Sequence, residues 1–151
     1  ESTPTKDQLM LWADANMEQI VRQLFPDAPE KFEIETKWYT VLNYDDNTTH
    51  RVDMTVHAIL SIPTVQEIRF GDREPIRTEG WPNIIFNQTL YLYFHQQILS
   101  IGDAIKQIRE HQAARSEGIT WCIVSADDRY ADLLERQKLR FIKAPPEAAQ
   151  Q

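Results

Sequence analysis

The sequence predicts an α+β fold, a mainly antiparallel central sheet flanked by helices, in a single domain over residues 1–143. Three patterns predict it. Apolar residues recur at helical spacing near the amino end, two runs of alternating residues follow, and beyond Asn83 strands and helices interleave. With 151 residues, 42% of them hydrophobic and including four Trp, five Tyr and six Phe, the chain can enclose one substantial core.

The first element is a helix over Thr5–Leu24, because Leu9, Trp12, Met17, Ile20, Val21 and Leu24 fall close to one face. Thr5 with Gln8 three residues later makes a capping box, and Pro26 lies just past the end. Its polar side carries Asp7, Asp14 and Glu18, which suits a helix covering a sheet and argues against one lying on a membrane. From Phe32 to Pro63 the period becomes two, with a hairpin turn at Asn43–Thr49. In its second strand Val52, Met54, Val56 and Ala58 share one face, while Arg51, Asp53, Thr55 and His57 share the other. The same rule sets His50 and His57 on opposite faces.

Val65–Phe70 reads as a short strand, and Gly71–Pro82 as a charged loop. Ile84–Phe94 is the most apolar strand of the chain and is expected to be central, covered on both faces. Ser100 is an N-cap with Asp103 in the capping-box position of a helix that runs to Arg115, and Gly118 follows it. Ile119–Val124 is then a buried strand, Ser125 or Asp127 caps a helix through Arg136, and Leu139–Ile142 is the last strand. The remainder, 144–151, holds Pro145-Pro146 and little apolar content, and is expected to be disordered.

Charge narrows the functions. Sixteen Lys and Arg against 23 Asp and Glu give a net charge of −7, and the basic residues are dispersed, so a nucleic-acid partner is not expected. No apolar run approaches the length of a membrane span, which predicts a soluble protein without membrane association. The single cysteine, Cys122, permits no internal disulfide and fits a reducing compartment, with the cytoplasm as the expected location. No His, Cys and Asp cluster has metal-ligand spacing, so no metal is expected.

The segment richest in chemistry is the turn Gln97-Ile98-Leu99-Ser100-Ile101-Gly102, which hands a strand to a helix. Unpaired N–H groups from Leu99 to Asp103 would face one spot at that helix N-terminus, where an anion could sit. Gln97-x-x-Ser100-x-Gly102 resembles the Gln/Arg-x-x-Gly-x-Gly/Ala loop of the GNAT acyltransferase superfamily, and Asp128, Ala131, Leu134 and Glu135 with Phe141 resemble its next helix and strand. The motif likeness covers residues 83–142, and the rest is similar in element order alone. Two positions depart from the family pattern: Ser100 replaces a loop glycine, and Glu135 replaces a frequent tyrosine acid.

The resemblance implies a GNAT-like topology, acetyl-CoA or another acyl-CoA as cofactor, and acyl transfer to an amine, in an active or catalytically degenerate form. It implies a cofactor held by Tyr93, Gln97, Leu99, Ser100, Ile101 and Gly102. A base must take the proton of the amine, and His57 and His95 are the candidates because a histidine can titrate near neutrality. Tyr130 and Tyr93 are candidate acids for the departing thiolate. The competing expectation is a non-enzymatic acidic protein-binding domain, an adaptor, secretion chaperone or immunity-type protein that covers a basic partner, or a homodimer. A splayed cleft beside residues 84–94 would favour the first class, and an apolar or acidic convex patch the second.

Overall fold

In the computed structural model, which describes residues 3–115 and 117–151, the amino end forms two helices rather than one, α1 (Lys6–Ala15) and α2 (Met17–Leu24). Thr5 and Gln8 make the expected reciprocal cap, with Gln8 N–H donating to Thr5 Oγ1 at 3.2 Å and Thr5 N–H to Gln8 Oε1 at 2.9 Å. The break falls at Asn16. Its φ of −116° and ψ of 22° leave helical geometry, and its side-chain amide donates back to the Trp12 carbonyl at 2.8 Å.

Strands β1 (Glu33–Asn43) and β2 (Thr49–Ile62) form the first hairpin. Between β2 and β5 (Asn83–His95) lie two short strands, β3 (Val65–Ile68) and β4 (Ile76–Glu79), which pair only with each other. After β5 come α3 (Ile101–Ala114), β6 (Ile119–Ser125), α4 (Ala131–Arg136) and β7 (Arg140–Lys143). The main sheet has the order β1-β2-β5-β6-β7, antiparallel across its first two junctions and parallel across the last two. It is therefore mixed, not purely antiparallel, although its longest pairings are the antiparallel ones. A helix between neighbouring strands brings the chain back to its starting end, so both crossovers produce parallel neighbours.

Each face of the sheet has its own core. Met10, Leu9, Ile20 and Val21 of α1 and α2 pack on Met54, Val56, Leu90, Leu92 and Val124, while Ala104 and Ile108 of α3 and Leu134 of α4 pack with Tyr91, Tyr93, Trp121 and Ile123. Strand alternation alone would send Val52 to the first core with Met54. Instead Val52 and Leu42 join the α3 core, while Trp38 and Met54 stay with α1 and α2. The reset occurs at Tyr39 and Asp53. Tyr39 takes φ +51°, a left-handed conformation uncommon for a residue with a Cβ, and its hydroxyl donates to Asp7 at 3.0 Å. The reset also corrects the histidines, because His50 now stacks on α3 from the sheet face that His57 shares with Thr89 and Tyr91.

Two further expectations are corrected. The charged loop over residues 71–82 contains β4, whose pairing with β3 continues the β2–β5 ribbon into an arm, with Gly80 N–H donating to the Thr64 carbonyl at 2.9 Å. The segment expected to be a disordered tail forms a 3-10 helix, Pro146–Gln150. Its Ala148 is fully buried against α1, and Gln8 Nε2 donates to the Ala149 carbonyl at 2.7 Å. Low apolar content was a poor guide there because one small methyl and a few backbone bonds suffice to seat a short turn. Among the described residues no helix is long and apolar enough to cross a membrane.

Candidate functional site

The reset at Asp53 opens the sheet. Pairing of β2 with β5 begins at Met54 and Leu92, so the next amide of β5 in need of a partner, Phe94 N–H, donates to Asp53 Oδ2 at 2.8 Å instead. The other oxygen, Asp53 Oδ1, holds Lys6 Nζ of α1 at 2.8 Å. Beside this junction, at the carboxyl ends of the parallel strands β5, β6 and β7, lies a cleft of about 1190 Å³. Open α/β sheets commonly take ligands there, because loops from successive strands converge and the strand ends stop pairing.

Two loops meet at the cleft. In the β6–α4 loop, Asp127 accepts Ile98 N–H at 3.0 Å, Arg129 Nη2 at 2.8 Å, Arg129 Nε at 2.8 Å and Arg129 N–H at 3.3 Å. Arg129 in turn donates to the Ile98 carbonyl at 3.1 Å, so one ion pair clasps the β5–α3 loop. The guanidinium and the Ile98 amide hold the Asp127 carboxyl well below the usual carboxylate range. On the far rim, Lys143 of β7 pairs with Asp128 at 3.0 Å. His95, the last residue of β5, lines the cleft half-buried, and burial lowers its pKa, which favours the neutral ring.

The expected site residues separate. His95, Gln97 and Leu99 line the cleft. Ser100 caps α3, accepting Asp103 N–H at 3.2 Å with φ −140°, so its backbone needs no glycine. Gly102 has ordinary φ and open space where a Cβ would lie, and Ile101 packs into the α3 core. Two of the N–H groups of this segment, those of Ile98 and Asp103, are already bonded within the chain. His57 is remote from the cleft, on an open sheet face, bonded to Asn87 Oδ1 at 2.6 Å and lining a shallow depression of about 260 Å³. Tyr130 is half-buried in the α3 core with Arg129 over its ring at 5.2 Å. Tyr93 is buried, 2% exposed, and its hydroxyl meets His111 Nδ1 at 3.1 Å.

No protein-family model matches this chain, and no curated protein or solved structure is similar to it.

Sequence reasoning overlooked Lys6, Asp53, Asp127, Arg129 and Lys143, which complete the cleft. A signal existed for three of them. Asp127, Arg129 and Lys143 follow or close strands that alternate with helices, and the carboxyl ends of such strands gather on one side. Lys6 and Asp53 gave none, because they reach the cleft only through the reset in β2.

The same reasoning missed a second cluster in the α3 core. His111 is 1% exposed, with Nε2 at 2.5 Å from the Tyr44 hydroxyl and its ring stacked on His50 at 4.5 Å between centroids and 9° between planes. Trp121 meets it edge-on at 4.9 Å. Burial, and secondarily His50, lowers its pKa to about 4, while burial and the neighbouring Tyr91 hydroxyl push Tyr44 up to about 12. At neutral pH the ring accepts at one nitrogen and donates at the other, which satisfies both phenols. Among the described residues no group of His, Cys, Asp and Glu has the geometry to hold a metal.

The last distinctive surface is the arm. Seven of the eleven large apolar side chains exposed among the described residues lie between Ile62 and Ile85, and Trp81, at the neck, is 93% exposed. Single exposed apolar residues are ordinary, whereas here seven share one ribbon. Its charges alternate in sign, with Glu67, Asp72, Glu74 and Glu79 against Arg69, Arg73 and Arg77. The acidic excess of the chain therefore lies elsewhere.

Proposed function

We propose that this protein is a non-enzymatic protein-binding domain whose recognition element is the arm formed by β3, β4 and the adjoining ends of β2 and β5. The observation that carries the reading is the exposure of Ile62, Val65, Phe70, Ile76, Trp81, Ile84 and Ile85 together on that ribbon. Ile62, Val65, Ile76, Ile84 and Ile85 lie in strands, whose backbone is ordered before a partner covers them, while Phe70 and Trp81 stand in the adjoining loops as large apolar anchors. Because the charges of the arm are balanced, recognition rests on apolar contact, and a basic partner is not required by it.

Affinity capture with the intact chain should recover a stoichiometric partner, and Trp81→Ser combined with Ile84→Ser should reduce the recovery at least tenfold. Both residues are exposed, so the melting temperature of the double variant should stay within about 2 °C of the parent. Sedimentation velocity separates a second copy of the chain from a foreign partner. Equal recovery by the double variant, or no partner in repeated captures with monomeric protein, would remove the reading.

Acyl-CoA-dependent transfer to an amine is the second reading, supported by the cleft at the end of β5 that holds His95, Gln97 and Leu99. Its support is thinner, because β5 and β6 remain paired from Thr89 and Ile119 to His95 and Ser125, leaving no splay between them for a pantetheine arm. A GNAT-like topology belongs to this second reading. Millimolar acetyl-CoA should raise the melting temperature if it holds, and an unchanged melting temperature removes it.

A further inference from the structure

We infer that the cleft at the carboxyl ends of β5, β6 and β7 is a binding site for a small organic anion bearing a carboxylate or a phosphate. The inference does not depend on the arm and requires no thioester. It follows from the distribution of donors and acceptors around the cavity.

The two carboxylates facing the cleft are already bonded. Asp127 receives four donors, two on each oxygen, which fills the lone-pair directions of a carboxylate. Asp53 is engaged on both oxygens, by Phe94 N–H and Lys6. The donors are in surplus. An ammonium carries three N–H bonds, and Lys6 and Lys143 each direct one to a carboxylate, with their side chains 45% and 61% exposed. Gln97, Gln107 and His95 line the same cavity and add neutral hydrogen-bonding groups to it.

The half-buried His95 imidazole faces the cavity, where its ring nitrogens are accessible to a ligand that can hydrogen-bond with them. The ligand's charge would meet Lys6 from α1 and Lys143 from β7, each paired with one carboxylate and each keeping further N–H bonds to donate. The clasp between Asp127, Arg129 and Ile98 fixes the intervening loop before any ligand arrives, so little ordering opposes binding. Both carboxylates and phosphates satisfy this set, and their relative strength distinguishes the two sources.

The test uses the full chain at fixed ionic strength with three probes: inorganic phosphate, citrate and sodium chloride. At tenfold excess over its dissociation constant, phosphate or citrate should raise the melting temperature by about 4 °C relative to chloride. The His95 ring resonances should shift on titration, while those of His57, on the open sheet face, stay in place. Lys143→Gln should weaken the binding at least fivefold with its fold retained, as judged by unchanged His111 resonances, and His95→Phe should weaken it further. Absence of any stabilisation over chloride by both anions at 10 mM, equal affinity in Lys143→Gln, or perturbation of His57 in place of His95 would each overturn the inference.

Discussion

His111 makes the acid sensitivity of this fold calculable. Its ring is removed from solvent, bonded at both nitrogens to Tyr44 and Tyr93, and stacked on His50, so the native state resists protonation until about pH 4, whereas an unfolded histidine titrates near 6.5. The native pKa is the lower one, so the contribution is fully present above pH 6.5 and is lost as acidification proceeds toward pH 4. Between those limits the unfolded chain gains a proton that the folded chain refuses. At pH 5.0 the difference is worth about 2 kcal/mol, and it vanishes at pH 7.5. Urea unfolding at the two values measures it. Wild type should lose about 2 kcal/mol more than His111→Phe over that interval, although the variant starts lower by about 1–3 kcal/mol because the buried Tyr93 hydroxyl loses its partner. The ring resonance of His111 should titrate below pH 5. A midpoint at or above 6.5, or equal acid losses in the two proteins, would refute the reasoning.

Two other substitutions test the joints of the fold. Gly80→Ala places a Cβ 2.7 Å from Thr64 Oγ1, whose hydroxyl donates to the Trp81 carbonyl, so the Thr64 side chain must turn away and the neck of the arm loses that bond. Amide exchange in β3 and β4 should quicken at least tenfold with the main sheet unchanged, and uniform protection would contradict it. Asp127→Asn removes the charge that gathers Ile98 and Arg129, and should cost about 2 kcal/mol in urea unfolding and broaden the resonances of residues 96–100. A stability within 0.5 kcal/mol of wild type (about the error of such measurements) would show that the clasp is dispensable.

Local signals in the sequence located most of the elements. The capping box at Thr5 and Gln8, the Ser100 cap and the alternation of Met54, Val56 and Ala58 are all interactions within a few residues, and each lies where its spacing indicated. Most of the failures were non-local. Strand direction in the second half depends on crossovers, and the face taken by Val52 depends on a left-handed Tyr39 whose hydroxyl is held by a residue of α1. Asn16 broke the first helix through a side-chain bond that helical periodicity does not register. Half of the cleft was legible as a strand-to-helix turn, through His95, Gln97 and Leu99. Of the rest, Asp127, Arg129 and Lys143 lie at the ends of strands that alternate with helices, whereas Lys6 and Asp53 are far apart in the chain and meet only after the sheet has closed.

The seating of the 3-10 helix on α1 brings residues 3–8 and 144–149 together. Thr3 and Pro4 from one end and Ala144 and Pro146 from the other line the same cavity, with Gln8 bonded to Ala149 beside them. A short linker could therefore join the ends and new termini be cut at the tip of the arm, giving a circular permutant that keeps every strand of the main sheet. The same proximity means that a bulky group attached at Thr3 or Pro146 would screen the cavity from a ligand placed in solution.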